Sequence, residues 1–457
     1  MSDPIIIERE NPGALDFIEF ETPAELNRYF WNAAKKKGSP KLSIAVMSHR
    51  NLETLRICVD CVLRFTQDID CELVLMDNAS EDGGETFDYL MSVPHKRKKV
   101  IKMQDNMGPY FNAARGWSTL WGHCEGDYIL HLNDDHFITE NAVQNMIRAL
   151  DSDITIGMVN PKSSSAWMGQ DPGLVYNNID EMFTAAKAFN VYDPGKWEER
   201  IYCAAVAWMF RKELRYCMEC VYPFGPELCY DIAMRLAGYR VMLLGDTWVH
   251  HHHDYTKKES YGFAGEAEEK VRQREYMEQS TSRIKFGLSM FGGICVFERE
   301  LAAMAEAPVI SGSPPSLLAI HVRAGQGLLD LKNALRKYGV YNTKSMVFET
   351  EAKYYPLLYT VADEIILGGI DSIGEILAGR TFDYCLLGPP VTAYTYKERL
   401  LSALANMLNP GGQLLIKLEP DVTAFTELAD YLTASCGVNI SSVNLTQWYY
   451  VIKAIKP

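Results

Sequence analysis

No apolar run in this sequence approaches the length of about 20 residues that a membrane-crossing helix needs, so no such helix is expected. The opening Met1-Ser2-Asp3-Pro4 lacks the basic start and long apolar core of a signal peptide, and a cytoplasmic location is expected. Positive charge is scarce: 45 Lys and Arg face 59 Asp and Glu, a net charge of -14. That balance, with a pI near 5.3, argues against nucleic acid as the main partner. The exception, Lys96-Arg97-Lys98-Lys99, reads as a solvated turn ahead of a strand at Val100. The 11 cysteines are scattered along the chain. An odd count without a secretory signal implies reduced, buried thiols, and Cys58, Cys61 and Cys203 sit in apolar patterns as core residues. Internal repeats and low-complexity segments are also missing.

What is present is an ordinary globular composition, 47% hydrophobic and 23% charged over 457 residues, enough for two or three domains. The most informative stretch runs from Gly126 to His136. A strand-type apolar run there enters the adjacent carboxylates Asp134 and Asp135 and leaves by a polar turn. Neighbouring carboxylates repel and cost energy unless something neutralises them. A hard divalent cation does so, typically held by one or two carboxylates plus a substrate's phosphates. An isolated Asp-Asp is more simply a solvated acidic turn, so the surroundings decide.

Residues 1–40 read as an appended arm, with an edge strand at Ile5-Ile6-Ile7 and a short helix from Pro23 to Lys37. Leu42 to Met47 is a buried-type strand ending in Ser48-His49-Arg50-Asn51. Leu55, Val59, Val62 and Leu63 then recur at helical spacing. Cys71 to Met76 is a second strand, ending in Asp77-Asn78-Ala79-Ser80-Glu81-Asp82-Gly83. A strand at Val100–Met103 precedes Asn106-Met107-Gly108, and a helix through Asn112–Trp121 leads to the Asp134-Asp135 strand. Strand, polar end and helix in alternation predict a parallel α/β sheet, whose ligands gather outside the carboxyl ends of the strands. Ser48, Arg50, Asp77, Asn78, Asn106, Gly108, Asp134 and Asp135 would then line one crevice.

This series resembles the family-2 inverting glycosyltransferases of GT-A fold, a mixed, mostly parallel sheet flanked by helices that binds a nucleotide sugar. Ser48-His49-Arg50 is similar to the family's first turn. Asp77-Asn78-Ala79-Ser80-Glu81-Asp82 matches its Asp-Asn-x-Ser-x-Asp, Asn106-Met107-Gly108 its Asn-x-Gly, and Asn133-Asp134-Asp135 its Asp-x-Asp. The resemblance implies that Asp135 is the surest metal ligand and that Asp134 assists, since Asn133 replaces the first acid. Ile201 to Leu214 resembles the strand backing the acceptor side. Asp231 and Arg235, followed by Gly238, fit the family's Asp-x-x-x-Arg helix, and otherwise form an ordinary surface ion pair. The family's base commonly sits where this chain has Cys229, which leaves Asp231 first and Glu227 second as general base. After a strand at Val241–Leu244 come four histidines. The resemblance places one of them on the metal or diphosphate: His251, with His253 as the alternative. Imidazole favours Mn²⁺ over Mg²⁺. Trp167, Gln170, Tyr176 and Trp197, in a polar insertion at 162–200, serve either acceptor recognition or packing.

Residues 257–310 are expected to form a helical extension and linker, closing on Ser311-Gly312-Ser313-Pro314-Pro315. A second α/β pattern follows, with strands at Leu317–Val322, Ser345–Glu349, Glu364–Asp371, Phe382–Gly388 and Leu408–Lys417 and a helix at Leu328–Tyr338. It resembles a Rossmann-like class I methyltransferase domain. His321 stands where that family has an acid and Arg323 where it has its first glycine, while Gly325 and Gly327 remain.

The expectation for the whole is a GT-A glycosyltransferase domain at 41–256 and a degenerate S-adenosylmethionine methyltransferase-like domain at 311–457. The first moves a sugar from a nucleotide-diphosphate donor, expected to be UDP-linked, to a hydroxyl of a glycan, lipid-linked glycan or protein, with Mn²⁺ or Mg²⁺ bound. The second is expected to be non-catalytic, without S-adenosylmethionine, and a surface for homo-oligomer formation. The rivals are a bifunctional glycosyltransferase–methyltransferase and a catalytically silent nucleotide-sugar-binding scaffold of a surface-glycan assembly.

Overall fold

The computed structural model describes residues 5–7, 40–104, 113–164, 166–217, 226–252, 281–308 and 313–457. The chain divides into two compact units, Met1–Lys285 and Phe286–Pro457. No helix among the described residues is long and apolar enough to cross a membrane. The arm's short helix at Pro23–Lys37 lies outside the described residues.

The first unit is built on a ten-stranded sheet. Its opening strands are β1 (Ile5–Ile7), β2 (Leu42–Ser48), β3 (Cys71–Asp77), β4 (Lys98–Met103) and β5 (Tyr128–Asn133). Then come β6 (His136–Phe137), β7 (Ile156–Ser163), β8 (Trp197–Arg200), β9 (Met209–Arg211) and β10 (Arg240–His251). The order is β1-β4-β3-β2-β5-β9-β7-β10-β6, with β8 on β10. From β1 to β5 every pairing is parallel, and antiparallel pairing begins at β9. Helices α1 (Leu52–Phe65), α2 (Glu85–Ser92) and α3 (Ala113–Gly122) make the crossovers between the parallel strands. Parallel strands covered on both faces read as continuous apolar runs, and every residue of β3 is buried.

Register matters for the site. Ser48 lies opposite Asp77 and Met47 opposite Asn133, so the carboxyl ends of β2, β3 and β5 finish level. The strand expected over Ile201–Leu214 shrinks to Met209–Arg211. Side chains tie the preceding backbone instead of a ladder: Cys203 N donates to Asp231 Oδ2 at 2.8 Å and Ala204 N to Gln170 Oε1 at 2.5 Å. In contrast β10 runs seven residues past Leu244, to His251, and so carries the first histidines on a strand.

The second unit holds a seven-stranded sheet. Its strands are β11 (Ser316–Ile320), β12 (Lys344–Glu349), β13 (Glu364–Leu367) and β14 (Phe382–Leu387). β15 (Leu408–Leu418), β16 (Asn439–Leu445) and β17 (Tyr450–Ile455) complete it. The order is β13-β12-β11-β14-β15-β17-β16, parallel throughout except that β17 runs against both neighbours. This is the Rossmann-like arrangement of methyltransferase-type domains, with the strand order reversing at β11. The closing β16–β17 pair carries no turn signature strong enough to be read in advance. This unit also takes in residues ahead of the Ser311–Pro315 linker. The Glu298 carboxylate meets Lys417 Nζ at 2.7 and 2.8 Å, and Tyr384 donates its hydroxyl to Glu306 O at 2.7 Å. Those bonds fasten residues 286–306 to the second sheet.

The root of β5 is fixed by a buried carboxylate. Glu72 Oε1 accepts from Ser43 Oγ at 2.5 Å and from Glu125 N at 2.5 Å, while Lys99 Nζ stands 3.0 Å from its other oxygen. Gly126 N donates to Ser43 Oγ at 2.7 Å. The chain passes so close that a β-carbon on Gly126 would lie 2.4 Å from Ser43 N. Backbone cannot yield there as a flexible side chain would. Gly126→Ala is therefore expected to destabilise the first unit by about 1–3 kcal/mol, read as a lower midpoint in urea, whereas Gly122→Ala, with open space around it, is expected to leave the midpoint unchanged.

Candidate functional site

Asp134 and Asp135 form the turn between β5 and β6. They are only 7% and 5% exposed, so this is no solvated acidic turn. Their side chains are held by different elements. Asp134 Oδ2 accepts from Ser48 Oγ at 2.8 Å and from His49 N at 3.1 Å. Burial, then the charge of Asp135, pushes the Asp134 carboxyl up to about 7, against the pull of the Ser48 and His49 bonds. Asp135 faces the other way, with His251 Nε2 at 3.4 Å from its Oδ2 and His136 Nε2 at 3.6 Å from its Oδ1.

The pairing of β6 with β10 creates that second contact. The two strands are antiparallel, with His251 opposite His136 and His250 opposite Phe137. The rings of His136 and His251 meet edge to face at 4.9 Å, and His252 N donates to Asp135 O at 2.8 Å. One ligand atom from each of Asp135, His136 and His251 lies within 4.8 Å of the others, a donor set able to hold a metal ion. His136 is the site residue that sequence reasoning missed. It directly follows Asp135, but only the β6–β10 register shows which histidine it meets.

Strand alternation sorts the histidine run. His250 points to the opposite face, where its Nδ1 lies 2.6 Å from Tyr176 Oη and 3.2 Å from Ser164 Oγ. Burial, followed by the neighbouring His252 and His251, holds His250 down at about 4. His253 lies outside the described residues, as do Asn106 and Gly108.

The nucleotide-side residues gather where β2 and β3 end. Asp77 is buried, and its Oδ1 accepts from Ser80 N at 2.9 Å, closing a turn. Asn78 N donates to Ser48 O at 2.8 Å. Arg50 takes a left-handed conformation at φ 65°, donates its N–H to Ser80 Oγ at 2.9 Å and pairs with Glu81. Ser48, Arg50, Asp77, Asn78, Asp134 and Asp135 thus share one rim of the sheet.

Asp231 and Glu227 stand on the helix Pro226–Leu236, numbered α6 after α4 (Ala142–Ser152) and α5 (Ile179–Phe189). Asp231 is fully buried. One oxygen accepts from Cys203 N, and the other has no hydrogen-bond partner among the described residues. Burial raises its carboxyl well above the usual range, and Glu227 adds to the rise. Glu227 is half-buried. Arg235 reaches Glu199 Oε1 at 2.8 Å and Arg200 O at 3.0 Å. Of the insertion residues, Gln170 and Trp197 are packing groups, the latter donating to Asp246 Oδ2 at 2.9 Å, while Trp167 is 53% exposed.

In the second unit, His321 and Arg323 keep left-handed backbones at φ 51° and 54°. Glu349, at the end of β12, is 2% exposed, and its two oxygens accept from Arg323 N at 3.1 Å and Thr350 N at 2.9 Å.

Residues 43–214 match the model of the family described as Glycosyl transferase family 2. The matched span contains Ser48, Asp77, Asp134 and Asp135 and stops short of Asp231 and His251. No curated protein matches the sequence. Among solved structures, the chain is similar to the mannosyltransferase PcManGT from Pyrobaculum calidifontis in complex with GDP-Man and Mn2+. The two are 15% identical, over 57% of this chain and 72% of that one, with a TM-score of 0.38. TarS 1–349 of S. aureus is 13% identical over 54% of this chain and 73% of its own, at 0.33. The mitomycin 7-O-methyltransferase MmcR is 13% identical over 44% and 60%, at 0.27.

Two adjacent buried carboxylates strain the fold for the sake of the site. Asp134→Asn removes one charge, and its amide oxygen can still accept from Ser48 or His49. In chelator this variant is expected to melt about 2–4 °C or more above the parent, as measured by calorimetry. An unchanged or lower Tm would mean that the two charges do not oppose folding.

Proposed function

We propose that the first unit is a metal-dependent inverting glycosyltransferase. It moves a sugar from a nucleotide-diphosphate donor, UDP-linked in our reading, to a hydroxyl of a glycan, lipid-linked glycan or protein. The observation that carries this is the convergence of Asp135, His136 and His251 beside the Ser48–Asp77 strand ends, partly within the family-matched segment. The donor set fits a divalent ion: a carboxylate and two imidazoles suit Mn²⁺ better than Mg²⁺, which prefers oxygen. Asp135 and His251 would hold the ion, with His136 completing the set. A bound ion there supplies positive charge against a departing diphosphate.

The chain's own residues do the rest. Asp77, Asn78 and the Ser48–Arg50 turn position the nucleotide, together with Asn106 and Gly108 in this reading. A carboxylate on α6 takes the proton of the acceptor hydroxyl as that oxygen attacks C1 of the sugar. The bond from C1 to the diphosphate oxygen breaks, its electron pair leaving with the diphosphate, and a single displacement inverts C1. Asp231 is the first choice for base because it begins the Asp-x-x-x-Arg pattern of the helix and one of its oxygens has no hydrogen-bond partner among the described residues. Its full burial speaks for Glu227, one helical turn earlier and partly open.

In this reading the second unit does not methylate. A ribose-binding acid is expected at the end of the second strand, and there Glu349 already serves the chain's own backbone. Arg323 also fills a glycine position, and its guanidinium donates to Gly292 O at 2.6 Å.

EDTA is expected to abolish transfer and Mn²⁺ to restore it, and Asp135→Asn should lower turnover by about a hundredfold or more. The measurement is release of nucleotide from a panel of nucleotide sugars in the presence of acceptor. Full activity in chelator would defeat the metal reading, and a parent without activity on any donor would favour the silent scaffold.

The base is separated by two variants. Loss of a general base costs about a hundred- to ten-thousandfold in turnover, with donor affinity intact. Asp231→Asn is expected to show that loss with an unchanged Tm. If Asp231→Asn instead lowers the Tm while Glu227→Gln alone stops transfer, the base is Glu227 and Asp231 is the anchor of Cys203.

A further inference from the structure

The proposed transfer leaves unused a cavity of about 450 Å³ in the second unit. It opens at the carboxyl ends of β11, β12, β13 and β14, where the strand order reverses. Sheets of this kind collect ligands at that point, and the volume falls in the usual range for a small-molecule site. We propose that this cavity binds a short neutral saccharide.

The aromatic lining comes first. Tyr394 lies nearly parallel to His321, ring centroids 5.6 Å apart and planes 17° apart. Tyr396 stands at the rim with 61% of its surface exposed. An aromatic face is electron-rich, so it attracts the weakly positive C–H face of a sugar ring. An exposed tyrosine beside a cavity has little reason to be there for packing.

The polar lining suits hydroxyls and not anions. Asp371, Glu375 and Arg399 line the same cavity, and the guanidinium is already engaged, its Nη2 3.0 Å from Glu375 Oε1. Carboxylates outnumber cations, which repels a phosphate or a carboxylate but offers acceptors and donors to neutral hydroxyls. His321 adds the most specific feature. One ring nitrogen lies 3.0 Å from Tyr394 Oη, and the other, Nε2, is buried with no hydrogen-bond partner among the described residues. A sugar hydroxyl both donates and accepts, so it satisfies that nitrogen in either tautomer. Burial keeps the imidazole below its ordinary pKa and hence uncharged near neutrality, which again disfavours an anionic ligand.

S-adenosylmethionine is the ligand that the fold would suggest, and the residues do not fit it. The Glu349 carboxylate is occupied by backbone N–H groups, and the first glycine position holds Arg323 in a left-handed turn. The crevice survives with its chemistry changed.

The test uses the intact chain and reads binding without turnover, so its outcome is independent of whether the first unit transfers sugar. Cellobiose, maltose, lactose and N,N′-diacetylchitobiose are titrated by calorimetry and ligand-observed NMR. At least one is expected to saturate below about 10 mM. Tyr396→Ala should weaken it by about tenfold or more while leaving Tm unchanged, because the side chain is exposed. Asp371→Asn should weaken it less, and Asp135→Asn not at all. Three results would overturn the proposal: no saturation by any of the four sugars, binding undiminished by Tyr396→Ala, or displacement of the sugar by micromolar S-adenosylmethionine.

Discussion

Two carboxylates that cannot share one environment set the layout of the first unit. Asp134 and Asp135 follow each other at the end of β5, nearly sealed from water, where repulsion between like charges is least screened. The structure separates their duties. Asp134 is drawn back to β2 by the Ser48 hydroxyl and the His49 amide. Asp135 is turned toward β6 and β10, where two imidazoles face it. Much of the local architecture follows from that split. β2 must end level with β5 to offer Ser48, and the β6–β10 pairing must hold its register to bring His136 and His251 together. A one-residue slip of β6 would turn His136 to the opposite face of the sheet, away from His251.

Such a pair needs a rigid base, because a carboxylate free to swing would relieve the repulsion by reaching solvent. β5 has that base at its root and along its length. At its root, Glu72 collects the Ser43 hydroxyl, the Glu125 amide and Lys99. Along its length, His131 is fully buried, accepts from Trp121 Nε1 at 3.2 Å and meets Trp117 and Trp208 edge to face. Burial holds that imidazole down at about 3. It is therefore a neutral packing group, and the charge in this region is confined to the strand's end.

The parallel half of the first sheet was legible because its physics is local. Apolar strands buried on both faces and polar residues at their ends are written consecutively, so Leu42–Met47 and Cys71–Met76 came out within a residue of β2 and β3. Ser48, Asp77, Asp134 and Asp135 could be grouped for the same reason, since level strand ends make distant segments neighbours. The antiparallel half was less legible. Nothing local shows that the backbone at Cys203 and Ala204 is bound by the side chains of Asp231 and Gln170, which is why a 14-residue strand was expected where only Met209–Arg211 pairs. His136 escaped notice through the same gap. Its role depends on which residue of β10 lies across from it, and a cross-strand register between distant segments has no sequence signature.

In the second unit a strained turn is held in place by contacts outside it. His321 and Arg323 hold left-handed conformations that a side chain makes unfavourable by about 1–2 kcal/mol each, in a turn where glycine would carry no such cost. The turn nevertheless persists because other contacts over-determine it. Arg323 N is fixed by Glu349, the Arg323 guanidinium by Gly292 O, and the His321 ring by Tyr394. The cavity of this unit is lined by His321, Tyr394 and residues at the start of the helix Lys397–Asn406. The crevice at a strand reversal is a consequence of sheet topology, and the residues that line it determine which ligand it can accept.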